Sequence, residues 1–524
     1  MVFSSEKRLR VRILGLVMAF GLIAAACGGD GDGGNGDGGG EGPSSAEITI
    51  AIGAEPFTLD PQTNDDGQER SVSDNVYETL LTRSPDGELT ADGLAAAMPE
   101  QIEDDVWQFT IREGITWHDG EPFTSEDVAA SINRIIDPDL ASQQGSFFAT
   151  ITGAEAIDET TVNVTTNGPD PVLPSRMYWM KIVPASAPTG AAAASGEATE
   201  FSSNPVGTGP YRFVEWARGD HITLEKNPDY WGENESNIET VTYRFVPEAA
   251  TRLSGLIAGE YDLAPNLSPE DAESAPNFGS VRGLEHAMIV LNETGGITAD
   301  PDVRRALYYA IDRESIVTDL FQGYATIEPC QPMDPAWFGF HPDLEPYPFD
   351  PDQAKELLDG AGVTGEEIEL IGTAGRWLKD REVIEAIANF WREVGMKVDV
   401  RLFDLGEYNT RLFHGGKSIP DSIFVSSSNE ILDADRNLTA YLQPNFLGGA
   451  NDDPDMEKWL TEARTETDTD ARQALYEQVL EKSCNEAYLL NLYNNEDIYG
   501  MSETLQWTPR VDAKMLAKEM TVTS

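Results

Sequence analysis

At 524 residues, with 91 acidic against 36 basic side chains and a formal net charge of −55, the chain is long enough for two or three folded domains. A field that negative repels phosphate backbones and anionic headgroups, which excludes nucleic acid and a basic membrane-surface patch as partners. Ten Trp, sixteen Tyr and twenty Phe supply the apolar bulk of a folded core, and the acidic surface serves solubility.

The chain starts on a targeting pattern. Lys7, Arg8, Arg10 and Arg12 precede an apolar run from Ile13 to Ala26. As a helix that run reaches only about 21 Å, against the roughly 30 Å of a bilayer core. Residues 1–26 therefore read as an export signal rather than a span. Ile23-Ala24-Ala25-Ala26-Cys27 resembles a bacterial lipobox, in which Cys27 would be lipidated and become the mature N-terminus; Ala24 stands where Leu is usual. The alternative is an ordinary cut after Ala26 that leaves a free thiol. Residues 27–46 are Gly- and Asp-rich, with no apolar side chain larger than proline between Gly28 and Ser45. Such a stretch buries nothing and acts as a tether with a reach of about 20–25 Å. If Cys27 carries lipid, Cys330 and Cys484 remain as an even pair in an oxidising compartment, and the fold decides whether they meet.

Beyond the tether, "EITIAIG" (47–53) alternates like a half-buried strand. In "WQFTIREGITWHDGEPFTSEDVAASINRIID", Trp107, Phe109 and Ile111 alternate before a turn at Asp119-Gly120. Thr124 and Asp127 then stand at capping-box spacing ahead of a helix whose one face carries Val128, Ile132 and Ile135. Strands are expected over 159–166, 221–227 and 241–246, and a helix from Thr251 stopped by Gly259. Asp300-Pro301 and Asp350-Pro351 open helices, the first running through "DVRRALYYAIDRESIVTDLF". A helix ended by Gly395 leads into an alternating strand, and "DTDARQALYEQVLEK" is a polar-faced helix before "AYLLNLY". Helices and strands alternate with short links, so the class is α/β or α+β.

Catalytic patterns do not emerge. HExxH, GxSxG and CxxC are missing, and the five histidines are scattered singly, against a multi-His metal site. Neither a metal nor a cofactor is expected.

"WQFTIREGITWHDGEPFTSEDVAASINRI" resembles the motif of the peptide/nickel family, family 5, of extracytoplasmic solute-binding proteins. "NPVGTGPYRFVEWARGDHITLEKNPDYWG" (204–232), "TRLSGLIAGEYDLA" (251–264) and "PDVRRALYYAIDRESI" (301–316) follow in that family's order. The resemblance implies an α/β, periplasmic-binding-protein-like fold of the class II (cluster C) type, with two lobes and an extra domain inserted near the N-terminus. It places lobe I in 47–85, 205–285 and 480–524, the inserted domain in 86–204, and lobe II in 286–479. It further implies a monomeric, lipid-anchored capture protein on the outer face of the cell membrane. Such a protein closes two lobes on a peptide or similar solute and delivers it to a permease driven by a cytoplasmic ATPase. A secreted peptide or glycoside hydrolase, and a surface sensor or adhesin on the same fold, are the competing readings.

Site residues follow from the same resemblance. The family's peptide binders hold the ligand carboxylate with an arginine, and Arg376 in "GTAGRWLKD" stands near that place, beside Trp377. Its other reading is a solvent-facing loop arginine. An aspartate takes the ligand amine; here Glu430 stands at its position and Asp433 at that of a following Asp-Pro, so both depart from the pattern, and Asp435 could serve by a slip of register. Glu55 and Phe57 lie where lobe I would reach the ligand. Trp337 is a core or cleft aromatic, and Trp391 is core. Gly207, Gly209 and Pro210 of "GTGPY" are expected as scaffold at a passage between domains, since glycine admits backbone angles that other residues avoid.

Overall fold

A computed structural model describes residues 45–64, 66–191, 200–412, 420–444 and 448–523. The export signal, Cys27 and the tether up to residue 44 lie outside the described residues.

An eleven-stranded mixed sheet forms the frame. Its centre is a ribbon of two long antiparallel strands, Asn277–Leu291 and Leu489–Met501, paired from Asn277 with Met501 to Val290 with Leu489. The register shifts between Arg282 and His286, a bulge that bends the ribbon near its middle. On one side of the ribbon stand Ser422–Ser428, Glu367–Thr373 and Lys397–Phe403. On the other stand Leu263–Ala264, Ala46–Ile52, Ile238–Phe245, His221–Lys226 and Tyr211–Ala217. The short strand Ala325–Ile327 also pairs with Leu489–Met501.

Each half of this sheet has its own core. In the first half, Leu307, Leu370, Ile384, Ile387 and Trp391 pack on one face and Trp337, Tyr408, Leu438 and Tyr476 on the other. In the second, Ile48, Ile50, Val72, Tyr211 and Val241 are buried together. A four-stranded sheet of Glu100–Glu103, Val106–Thr110, Thr161–Thr166 and Ile151–Asp158 makes a third core with Val128, Ile132 and Phe148. Leu80 and Leu81, assigned by sequence to lobe I, are buried in this third core.

Local chemistry explains the elements that bear the landmarks. Thr124 and Asp127 form a capping box at the start of the helix Ser125–Ile135. Gly259 and Gly362 end the helices Ala249–Ala258 and Pro351–Ala361 in the left-handed region, at φ 75° and 72°. The helix expected through Phe321 stops at Tyr309: Asp312 starts a fresh turn by accepting from the Ser315 amide, and Ile316–Leu320 coils more widely.

Gly207 and Gly209 are needed for closeness rather than for unusual angles. A Cβ on Gly207 would stand 1.8 Å from the Val76 carbonyl oxygen, and one on Gly209 2.6 Å from that of Asn75. Neither glycine has positive φ. His118 stitches the segment: its Nε2 donates to the Gly209 carbonyl 2.9 Å away, and its amide donates to the Gly207 carbonyl. Cys330, just after the strand Ala325–Ile327, forms a disulfide with Cys484 of the helix Thr469–Glu486, their Cα atoms 5.4 Å apart.

Candidate ligand cleft

The two halves of the sheet meet at the bent ribbon, and charged side chains gather there. Glu285 and Asp497, one on each ribbon strand, are half-buried. Burial pushes the Glu285 carboxyl up to about 7, with Asp497 adding to the rise and Arg376 and Arg70 opposing it. Burial likewise lifts Asp497 to about 6. Arg376 comes from one half of the sheet and Arg70, on the helix Gly67–Val76, from the other. Two cations, one from each half, thus act on Glu285, beside which Asp497 adds a second carboxylate.

Arg376 sits at the tip of a loop organised by one buried carboxylate. Asp380 accepts from the amides of Gly375, Arg376 and Trp377, and from Thr373 Oγ1 at 3.0 Å. Trp377 wedges edge-on against Tyr408 and Phe424, which fixes the stem, while the Arg376 side chain stays exposed with its guanidinium 5.7 Å from the indole centre. A rigid loop carrying an exposed guanidinium can take a carboxylate from solvent.

The other predicted residues are placed differently. Glu430 is buried, accepts from Ser428 Oγ at 2.6 Å and forms an ion pair with Arg436, whose guanidinium lies 4.4 Å over the Phe147 ring. Asp433 is buried and clamps Arg472 with both oxygens, at 2.8 and 2.6 Å, while capping the helix Ala434–Leu442. The Asp433 charge accordingly raises the Arg472 pKa against the opposing effect of burial. Asp435 bonds Thr439 and pairs with Arg176 of the third core's unit at 3.5 Å. Glu55 accepts from Trp216 Nε1 at 2.9 Å and from the Gly219 amide at 3.2 Å, which ties it to the 211–226 hairpin. Phe57 is 70 % exposed, on a loop whose Phe57 and Thr58 amides donate to Glu69. Trp337 is buried against His286, ring centres 4.5 Å apart, and Trp391 is fully buried, donating to the Leu307 carbonyl.

Arg70, Glu285 and Asp497 escaped sequence reasoning. The stretch "VRGLEHAMIV" has no clean alternation, because a bulge shifts its register and both of its faces are covered. A charge inside so apolar a run, Glu285, was the one available signal.

The halves also touch directly. Lys379 pairs with Glu270, and Arg83 Nη2 donates to the Ile431 carbonyl at 2.5 Å. Among the described residues no cluster of His, Cys, Asp or Glu could hold a metal ion, and no helix is long and apolar enough to cross a membrane.

Two α/β halves on a bent ribbon, with an extra unit and a charged junction, define a two-lobe binding-protein fold. The pattern of bacterial extracellular solute-binding proteins, family 5 (middle region), matches residues 91–446, and the chain belongs to that family. It is 27% identical over 456 residues to the glutathione-binding protein GsiB of Pectobacterium atrosepticum, covering 84% of this chain and 87% of the relative. The substrate-binding protein CtaP of Listeria monocytogenes superposes with a TM-score of 0.81 at 21% identity, over 92% of this chain and all of that one. NikA from Brucella suis, solved with Fe(III)-EDTA, gives 0.80 at 22%, over 91% and 100%. Family 5 members work as the solute-binding components of ABC transporters, on the extracytoplasmic side.

Proposed function

We propose that this chain is the lipid-anchored receptor of an ABC importer and that it captures a short peptide or similar zwitterionic solute between its closing lobes, releasing it unaltered to the permease. The carrying observation is the junction where Arg376 and Arg70, from opposite halves, act on Glu285 next to Asp497. Enclosure strips water from a ligand's charged ends, which then require opposite charges in the protein. Arg376 meets the ligand carboxylate, beside Trp377 as an apolar wall, and Phe57 reaches in from the other lobe. Asp433 and Glu430 act behind this surface, because their oxygens are already engaged by Arg472, Ser428 and Arg436. A relative named for glutathione, a small peptide, supports this cargo class.

Mass spectrometry of small molecules released from the purified protein tests the cargo. Short peptides or another amine-and-carboxylate compound are expected; neutral sugars would overturn the reading. Turnover of peptide or glycoside panels by the purified chain would instead establish the hydrolase. Anchoring is tested by metabolic labelling with a fatty acid, which should mark the wild type and not Cys27→Ser. The lobes are 47–85 with 205–285 and 480–524, and 286–479; 86–204, inserted into the first of these, is the extra domain. The chain acts as a monomer, tethered to the outer face of the cell membrane.

A further inference from the structure

Away from the junction, a cavity of about 310 Å³ opens between the sheet half built on Ala46–Ile52, the four-stranded unit and the C-terminal segment. That volume is at the lower end of small-molecule sites. Arg83, Tyr178, Lys514 and Lys518 line it.

Arg83 is 7 % exposed, yet no carboxylate among the described residues stands within ion-pair distance of it. Its Nη1 and Nη2 donate to the carbonyls of Gly87 and Ile431, and its buried Nε–H has no acceptor. Lys514 is also poorly matched: its nearest carboxylate oxygen, on Asp74, is 4.0 Å away and already bonded by Lys181 at 2.8 Å. Both cations lie over one ring, that of Tyr178, at 5.0 and 4.3 Å. Burial presses the Lys514 ammonium down to about 8.

The carboxylates of the cavity do not fill the gap. Glu519 is held by Arg510, and Glu78 accepts from Thr208, Tyr230 and Trp231. Asp512 beside the cavity is clamped by Arg510 at 2.9 and 2.8 Å. Asp92 is exposed at the rim. A buried guanidinium with no carboxylate in ion-pair reach and a half-buried ammonium only 4.0 Å from a shared one, both over one aromatic ring, are poorly compensated until an oxyanion joins them.

We propose that this cavity is an accessory binding site for a small organic anion, carrying a carboxylate or a phosphate, whose oxygens lie between Arg83 and Lys514. The site contains none of Arg376, Arg70, Glu285 and Asp497, although Arg83 also makes the Ile431 contact between the halves.

The test titrates the full chain calorimetrically with citrate and, separately, with inorganic phosphate, at constant ionic strength and without cargo. A saturable heat with at least one is expected, at least tenfold weaker in Lys514→Gln and unchanged in Arg376→Ala. The arm that saturates tells carboxylate from phosphate. No saturable heat with either, equal affinity in Lys514→Gln, or loss in Arg376→Ala (an anion seated in the cleft) would overturn the proposal. Should Lys514→Gln fail to fold by circular dichroism, Lys518→Gln at the half-buried rim replaces it. Several-fold weaker binding is then expected, and an unchanged constant would overturn the site.

Discussion

Arg376 and Arg472 carry the same group, and burial separates their work. Arg376 is exposed on a loop held by Asp380, so its removal leaves the fold alone; Arg376→Ala should weaken cargo binding by about 2 kcal/mol, near thirtyfold, with an unchanged melting temperature. An unaltered dissociation constant by calorimetry would remove Arg376 from the site. Arg472 is buried and depends on Asp433. Asp433→Ala strands that charge, and a loss of about 3–5 kcal/mol is expected in urea unfolding. Glu285 gives a pH signature. Its folded pKa, about 7, lies above the ordinary carboxylate value, so the neutral acid is favoured in the fold. The stability it contributes is fully present at pH 4 and is lost as pH rises through 7. Glu285→Gln should flatten that decline between pH 5 and 7.5 in urea midpoints; an identical slope in both proteins would show that Glu285 titrates normally.

Among the elements, the helix Ser125–Ile135 and the "GTGPY" segment offer contrasting tests. Thr124→Ala should lose about 1 kcal/mol, the worth of a cap. Gly207→Ala forces a methyl onto the Val76 carbonyl, and backbone cannot rotate away, so a loss of about 3 kcal/mol or more is expected in thermal melts. Elements of this kind were legible because their signals are local: a cap three residues from its partner, Asp-Pro openings, a glycine stop. The break at Ala310–Asp312 was not, since the apolar period continues across it and only the Asp312 cap interrupts. The Asn277–Leu291 strand was likewise hidden, being covered on both faces and shifted by a bulge. The site inherits that difficulty. Arg376 could be placed from its neighbours in sequence, whereas Arg70, Glu285 and Asp497 become neighbours only when strands more than 200 residues apart in sequence pair.

For the whole molecule, the disulfide joins residues 154 apart, fastening the segment after Ala325–Ile327 to a helix of the first half. Cys330→Ser with Cys484→Ser should lower stability by about 2–4 kcal/mol, and an equal loss should follow reduction of the wild type. The family's two-lobe fold, the inserted unit and the landmark order were readable at this scale, because four long motifs in sequence constrain a chain more than any single one does. The contacts Lys379–Glu270 and Arg83–Ile431 were not, since they join surfaces with no sequence relation.

The ribbon carries one last implication, for how the chain comes to be folded. Leu489–Met501 is the seam of the sheet, flanked by Asn277–Leu291 along one edge and by Leu263–Ala264 and Ala325–Ile327 along the other. The strands it flanks must therefore wait, with open edges, for a piece supplied near the tail of synthesis. A chain cut at residue 488 would lose the common keel of both lobes at once, leaving no smaller working half behind.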